Sequence, residues 1–330
     1  MARRRVAWPN LLAIAYAVGG WAMGLWLLTL PLWALNGLGV LLVGHSLVCC
    51  AYLLHDCLHN AVLASRRAND RLGMVLSWLC GACYAPYANL KEKHLRHHAD
   101  RLDVVTFDYR AVLRRAPRWV RGAVLAAEWA HVPAVELLMH GLVIAVPLAD
   151  GRDGGRGRVT LTLAMRALLA AALAAIAPKA LLLYALAYLL FLSALRFMDA
   201  FQHTYEVVVT RSLARAPESS SRDRRYEYEN TYSNLLSMRR PWLNLLALNF
   251  AYHNAHHARP AVPWHQLPAL HRSLYGGADR QVLPARRLLA GYHRHRVARI
   301  LAADYGKIGA EGDRATGFIG AVGVSFLTAV

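Results

Sequence analysis

The amino-terminal part of the chain contains a long run without any acidic or basic side chain. From Val6 to His55 there is no Asp, Glu, Lys or Arg. A helix rises 1.5 Å per residue and the hydrocarbon core of a bilayer is about 30 Å thick, so about 20 apolar residues cross it once. The run is therefore long enough for two crossings. We predict membrane spans over residues 10–35 and 38–54, joined by a tight turn at Asn36–Gly37, because glycine tolerates the backbone angles of a reversal.

A second apolar block begins at Thr160 and is interrupted by Pro178–Lys179. The whole block is far too long for one crossing, so we predict two further spans, over residues 160–177 and 180–196. The predicted fold class is an all-α integral membrane protein with about four transmembrane helices. A cytoplasmic, histidine-rich helical cap completes it.

Three other apolar segments are not predicted to cross the bilayer. Leu72–Ala88 is at the lower length limit for a span and is broken by glycine and proline. Ala123–Ala149 holds two glutamates and two histidines, and a single crossing there would invert the orientation of everything that follows. We expect both segments to be interfacial or re-entrant, and Trp242–Tyr252 to lie at the membrane interface.

The charge balance supports this assignment and gives an orientation. The chain carries 38 Lys plus Arg against 20 Asp plus Glu, a net charge of +18, yet it is 56% hydrophobic. A disordered chain would have far fewer apolar residues, and a nucleic-acid binder would not leave such long stretches uncharged, so we expect no nucleic-acid partner. Basic residues flank the same ends of all four predicted spans, which by the positive-inside rule places both termini in the cytoplasm. These residues are Arg3, Arg4, Arg5, Arg66, Arg67, Arg71, Arg152, Arg156, Arg158, Arg211 and Arg215. We further expect Arg166 and Arg196 to snorkel to one membrane face and the basic surface to contact anionic lipid headgroups.

The five cysteines all fall in the first quarter of the chain, in or beside apolar sequence. Cys80 and Cys83 form a single CxxC pair without the second pair of a zinc site. We therefore expect buried, unreactive thiols.

Eight of the 16 histidines fall into three clusters. The clusters are His55 with His59, then His94, His97 and His98, and finally His253, His256 and His257. On an α-helix, residues four apart lie about 40° apart and residues three apart about 60° to the other side, so each cluster points its imidazoles from one stripe of a helix. An even number of predicted crossings separates the clusters, which places all three on one membrane face. Imidazole suits Zn, Cu, Fe and Ni, and eight ligands imply two metals or a chain of transport sites.

The order and spacing of the clusters resemble the membrane fatty acid desaturase superfamily, which includes acyl desaturases, hydroxylases and carotenoid ketolases. The similarity runs from about residue 38 to about residue 272. It includes the sequence around the second cluster, Lys93–Asp100, and the sequence from Tyr252 to Pro260 with Pro263, Trp264, Leu267 and Pro268 after it.

The resemblance implies two Fe ions and O2 as co-substrate, and it adds His203 as a ninth ligand. Asp199 stands where one branch of the family has an asparagine that holds a metal-bound water. We expect it to bind that water or the metal, or to lie behind the ligands.

Four further carboxylates stand close to the clusters in sequence. Asp56, Asp100, Asp103 and Glu206 are therefore candidates for accepting hydrogen bonds from ligating imidazoles, which would fix the ring tautomers. Each of them has a plain alternative as a helix cap or ion-pair residue.

The resemblance also implies the organisation and the partners. We expect a single membrane-embedded domain over residues 1–330, with the cap at 55–159 and 197–272 and a basic tail at 273–330. The substrate is expected to be a membrane lipid. The sequence holds no haem motif, iron–sulfur motif or dinucleotide-binding loop, so electrons are expected from a separate ferredoxin or rubredoxin-like donor.

Several alternatives stay open at this point. A lipid or carotenoid hydroxylase or ketolase would use the same scaffold. A histidine-rich metal transporter would place ligands in the middle of several spans, and a bis-histidine cytochrome would need facing histidines in two spans. Only His45 lies well inside a predicted span, where we expect a hydrogen-bonded polar group.

Overall fold

The computed structural model describes residues 7–150, 155–209, 222–276, 280–308, 315, 317–322 and 327–329. These described residues are mostly helical, with 69% of them in helices and few in strands. The chain forms two compact units. The first comprises Met1–Lys91, His140–Ala194 and Leu327–Val330, and the second comprises Glu92–Met139 and Leu195–Phe326. The single-domain organisation stays a prediction.

The helices and strands follow one another in this order. They are α1 (Trp8–Thr29), α2 (Trp33–Leu58), α3 (Arg66–Leu79), α4 (Tyr87–Asp100), β1 (Asp103–Val105), α5 (Tyr109–Arg115), α6 (Arg118–Trp129), α7 (Ala134–Asp150), α8 (Gly155–Ile176), α9 (Pro178–Asp199), β2 (Val207–Val209), α10 (Arg224–Glu229), a 3-10 helix (Pro241–Ala247), α11 (His253–Ala258), a second 3-10 helix (Trp264–Gln266), α12 (Leu267–Tyr275), α13 (Ala285–Arg294) and α14 (Ala298–Leu301).

Four described helices are long and apolar enough to cross a membrane. They are α1, α2, α8 and α9, with 22 to 26 residues each and mean hydropathy of 1.8 to 2.0. The predicted number of spans is confirmed, and so is the break between the last two, since α8 ends at Ile176 and α9 begins at Pro178. The chain is thus an all-α membrane protein, while the cytoplasmic orientation stays a prediction.

The predicted turn between the first two spans is wrong. The chain reverses between Thr29 and Trp33, and Asn36–Gly37 lies inside the first turns of α2. Pro31 stands in the connection, where a residue without a backbone N–H cannot continue a helix. The proline therefore decides where the chain reverses, and the Asn36–Gly37 pair, which had predicted the reversal, is part of a helix.

Asn36 has a different role, which explains why a polar side chain is buried there. Its Nδ2 donates to the carbonyl oxygens of Leu27, at 2.8 Å, and Leu30, at 2.9 Å, in the last turn of α1 and directly after it, where helical partners run out. Lys179 Nζ reaches the same place and donates to Leu30 O at 2.6 Å and to Asn36 Oδ1 at 2.9 Å. The start of α9 is thereby tied to the connection between α1 and α2.

The helices α1 and α2 approach each other closely at two glycines. A Cβ on Gly24 would lie 2.6 Å from a methyl group of Val43, and a Cβ on Gly39 would lie 3.0 Å from the carbonyl oxygen of Gly24. Small residues at such positions let membrane helices pack backbone to backbone.

The two apolar segments predicted to be interfacial or re-entrant, Leu72–Ala88 and Ala123–Ala149, are each interrupted by a gap between two helices. The first contains the gap between α3 and α4, and the second contains the gap between α6 and α7. None of these four helices meets the length and hydropathy of a span among the residues that the structure describes. Most of the predicted loop from Arg211 to Arg225 lies outside those residues.

In the second unit, β1 and β2 pair in parallel, with Asp103 opposite Val207. These two strands of three residues each were not predicted, because three residues are too short to show a periodicity. They hold the segment directly after α4 beside the segment that follows His203. The sheet therefore brings together the two segments that follow the second histidine cluster and His203.

Arg196 does not snorkel, as the sequence had suggested. Its side chain is only 4% exposed, and Nη1 lies 2.5 Å from Glu128 Oε2 and 3.1 Å from Glu136 Oε2. The guanidinium ties the end of α9 to α6 and α7. Two buried glutamates thus provide the partners that bulk water would otherwise supply, and the expectation for Arg196 is wrong.

Candidate metal centre

The first histidine cluster lies at the end of α2. The helix ends at Leu58, so His55 is on its last turn and His59 is the residue that caps it. Both side chains are buried, and their ring centroids are 5.0 Å apart. His55 Nδ1 lies 3.2 Å from Asp56 Oδ1, the carboxylate that adjacency had suggested. This cluster belongs to the first unit.

The second cluster lies on α4, in the second unit. His97 and His98 follow His94 by three and four residues, so the three side chains lie on one face of the helix. His98 Nε2 lies 3.2 Å from His94 Nε2. His97 turns its Nδ1 toward Leu102 O, at 2.8 Å. A carbonyl oxygen only accepts, so Nδ1 carries the hydrogen and Nε2 keeps the lone pair that a metal would use.

The third cluster lies on α11, a helix of six residues in which His253, His256 and His257 are all buried. The residues before it, Leu248 and Asn249, have φ of +43° and +54°. Two consecutive left-handed residues are uncommon outside glycine, and here they turn the chain from the preceding 3-10 helix into α11. The strained backbone therefore lies in the segment that leads into the cluster.

Asn254 anchors α11 from within. Its Nδ2 donates to Thr231 O at 2.6 Å, and its Oδ1 accepts from Ser233 Oγ at 2.7 Å. Thr231 in turn bridges to His203, which follows α9. The same short segment thus positions both the third cluster and His203.

The histidines of the second unit converge. His256 Nε2 lies 3.2 Å from His98 Nε2, and His253 Nε2 lies 2.7 Å from His203 Nε2. Among the described residues of this unit, four sets of ligand atoms each fit within 4.8 Å. They are His203 with His253 and His257, His97 with His98 and His257, His97 with Asp103 and His203, and His94 with His98 and His256. The predicted meeting of the second and third clusters and His203 is therefore present in the structure.

These residues fit a bound transition metal. Two nitrogens at right angles around an ion, each about 2.1 Å from it, are separated by about 3 Å, which is the spacing between the paired Nε2 atoms. His257 Nε2 is buried without a hydrogen-bond partner. A buried polar atom without a partner is costly, and ligation is one way to satisfy it. A donor set dominated by imidazole suits iron, zinc, copper or nickel rather than magnesium or calcium.

Three of these histidines are held in the neutral form that ligation requires. Burial lowers the pKa of His97 to about 4. Burial, reinforced by the neighbouring imidazoles, also brings the pKa of His203 and His257 well below 6.5. At neutral pH each of these rings therefore offers a lone pair without first releasing a proton.

One candidate carboxylate, Asp103, lies beside a histidine, and another, Asp199, lies at the end of α9. Asp103 is fully buried, with Oδ1 at 3.4 Å from His97 Nδ1, and burial raises the pKa of its carboxyl group. Asp199 is the last residue of α9. Burial lowers the pKa of Lys93 to about 7, and the negative charge of Asp199 opposes that shift. Asp103 is therefore placed to tune the His97 ring, and a role for Asp199 at the site stays a prediction.

The other two candidates are engaged by arginines. Asp100 Oδ2 accepts from Arg96 Nε at 3.3 Å, and Glu206 Oε2 accepts from Arg222 Nη1 at 3.3 Å with its side chain 61% exposed. Both contacts match the ion-pair alternative, and a role beside the histidines stays a prediction for each of them.

Glu227 was missed by the sequence analysis, although it contacts a histidine directly. Its Oε1 lies 3.2 Å from His257 Nδ1, and its Oε2 accepts from Arg101 Nε at 3.1 Å. Glu227 stands 30 residues from His257 and in no recognisable spacing to it, so only the fold brings them together.

The fold and the site define a multi-pass membrane protein with a buried, multi-histidine metal-binding arrangement. The family model for fatty acid desaturases matches residues 31–288, and the chain belongs to that family. It is accordingly a lipid oxidoreductase of the desaturase and hydroxylase type. A comparison with curated proteins returns no match.

Proposed function

We propose that this protein is a di-iron, O2-dependent oxidoreductase that introduces a double bond into a lipid acyl chain. The observation that carries the proposal is the convergence of imidazoles from α4, α11 and His203 in a member of this family, with paired Nε2 atoms 2.7 to 3.2 Å apart. Removal of hydrogen from an unactivated methylene needs a strong oxidant that no side chain provides. Two reduced irons and O2 supply that oxidant when bound.

The proposed ligands are nine histidines. They are His55, His59, His94, His97, His98, His203, His253, His256 and His257. Within the second unit, one iron would be held by His97, His203, His253 and His257. The other iron would be bound in part by His94, His98 and His256. Asp56 and Asp103 would fix or tune the neighbouring rings, and Asp199 would hold water or metal at the end of α9.

The overall reaction balances with an external reductant. A –CH2–CH2– unit, O2, two electrons and two protons give –CH=CH– and two molecules of water. The chain carries no cofactor motif for storing electrons, so a ferredoxin or rubredoxin-like protein is the proposed donor. The excess of basic residues favours an acidic donor through electrostatic steering, and it also suits anionic lipid headgroups. Both termini and the metal site are proposed to face the cytoplasm.

Product analysis tests the reaction. The gene would be expressed in a host of defined lipid composition, and fatty acids and pigments would be profiled by mass spectrometry. We expect an acyl chain two mass units lighter, and we expect the H97A variant to lack it. His293→Ala is the matched control, because this exposed histidine lies outside the clusters and should leave the product unchanged.

The second candidate is a hydroxylase or ketolase on the same scaffold, acting on an acyl lipid or a carotenoid. It rests on the family, which covers both outcomes. A product that has gained oxygen, rather than lost two hydrogens, would contradict the desaturase assignment and support this candidate. An unchanged lipid and pigment profile with iron and reductant supplied would contradict both. A metal transporter is disfavoured because the clusters lie at a span end and outside the spans.

A further inference from the structure

Glu227 links a proposed metal ligand to an arginine of another segment. The carboxylate on α10 has one oxygen 3.2 Å from His257 Nδ1 and the other 3.1 Å from Arg101 Nε. The Glu227 side chain is 14% exposed and that of Arg101 is 24% exposed, so the pair is largely shielded from water. The three residues form a continuous chain from α11 through α10 to the end of α4.

Arg101 has an unusual backbone. Its φ is +53°, in the left-handed region that residues other than glycine, asparagine and aspartate seldom adopt. Its Nη1 donates to Arg222 O at 3.0 Å in addition to the bond with Glu227. The strained residue directly follows the helix that bears the second histidine cluster, and its side chain bonds twice to the segment before and within α10. Strain of this kind persists only where surrounding contacts hold it.

The bond from Glu227 also fixes which nitrogen of His257 is available. A carboxylate only accepts hydrogen bonds, so Nδ1 of the neutral ring carries the hydrogen. The lone pair then belongs to Nε2, which is buried without a hydrogen-bond partner. A carboxylate behind a ligating histidine orients the ring and raises the basicity of the ligating nitrogen.

We propose that Arg101 and Glu227 form a positioning clamp, which fixes His257 as an Nε2 ligand and holds the second and third histidine clusters together. Glu227 acts through His257, and Arg101 acts through Glu227. The proposal rests on the proposed function, since it assumes that the histidines hold iron. It adds two residues that neither spacing nor family resemblance had assigned.

A cavity makes the clamp accessible to experiment. It has a volume of about 530 Å³ and is lined by His98, Arg101, Glu227 and His257, among others. A small chelator can therefore approach the proposed ligands from the side of the clamp, and the rate of iron release reports how firmly they hold it.

Two variants and a matched control test the clamp in the full-length, iron-loaded protein. Glu227→Ala removes the acceptor, and Arg101→Met removes only the outer partner. Glu229→Gln is the control, because Glu229 lies on the same helix and accepts from Arg225 Nε at 2.8 Å, but this pair is exposed. Iron per chain would be measured by mass spectrometry, and iron release would be followed optically with a ferrous chelator.

We expect Glu227→Ala to weaken iron binding 10- to 100-fold and to speed its release, as is typical when a partner behind a metal ligand is removed. Arg101→Met should act in the same direction with a smaller effect, and Glu229→Gln should match the wild type. Glu227→Gln keeps an acceptor oxygen and should recover part of the binding, which a purely structural role would not predict. Should Glu227→Ala fail to fold, Glu227→Gln and Arg101→Met still decide the matter. Wild-type iron content and release in the Glu227 and Arg101 variants would overturn the clamp, whereas a wild-type protein without iron would overturn the proposed function itself.

Discussion

Arg196 supports a direct prediction about stability. Its guanidinium lies between two buried carboxylates, at 2.5 Å from Glu128 and 3.1 Å from Glu136, and its side chain is only 4% exposed. Replacement by methionine keeps most of the side-chain volume but removes the cation, so both carboxylates lose the charge that compensates their burial. Removing one partner of a buried ion pair typically costs about 3–5 kcal/mol. In a cooperative unit of about 150–250 residues, each kcal/mol of lost stability lowers the unfolding midpoint by about 2–4 °C. The loss should therefore lower the midpoint by about 6–20 °C.

The assay is thermal unfolding of the purified protein in detergent, followed by circular dichroism at fixed protein, lipid and salt concentration. Arg225→Met serves as the control, because Arg225 also contacts a glutamate but its side chain is 82% exposed, so its midpoint should not move. Adding Glu128→Gln and Glu136→Gln to Arg196→Met should recover much of the loss, since neutral groups tolerate burial better than unpaired charges. An Arg196→Met midpoint within about 2 °C of the wild type would refute the reasoning, because it would mean that these carboxylates do not depend on the guanidinium.

Three further predictions concern the site and the surface. His97→Ala or His256→Ala should abolish turnover while membrane insertion, judged by resistance to alkaline extraction, stays intact; turnover in either variant would break the ligand assignment. The 3-10 helix that carries Trp242, which is 61% exposed, should lie at the membrane interface. A nitroxide attached to Trp242→Cys should then relax faster with O2 than with a water-soluble nickel chelate, and one at Arg225→Cys should show the opposite. Burial raises the pKa of Cys80 to about 12, and all five cysteines are buried, so thiol reagents should label the native protein only after denaturation.

The sequence predicted the spans and the histidine clusters because both depend on local patterns. Apolar length alone identified α1, α2, α8 and α9. The spacing of the second cluster was informative because α4 is a regular helix, on which residues three and four apart share a face. The third cluster also proved helical, although α11 has only six residues.

The errors arose where tertiary contacts decide the outcome. The Asn36–Gly37 turn was misplaced because Pro31 ends the helix earlier, while Asn36 serves as a buried cap for the carbonyls of α1. Arg196 was expected at the lipid surface because its buried partners, Glu128 and Glu136, lie 68 and 60 residues away in sequence.

His203 and Glu227 show the same limit at the site. His203 was found only through the family resemblance, since a single histidine has no spacing to recognise. Glu227 was not found at all, because its contact with His257 depends on how α10 and α11 are placed. Residues that act behind a ligand are set by packing, and packing has no short sequence signature.

Metal analysis of the purified protein tests the central claim most directly. The protein would be produced in iron-replete medium, purified without chelators, and assayed for all first-row metals together with reductant-dependent lipid oxidation. The account predicts about two irons per chain in the active protein, and a loss of iron together with activity in His97→Ala. Active protein that holds zinc without iron, or that shows haem absorbance, would contradict it.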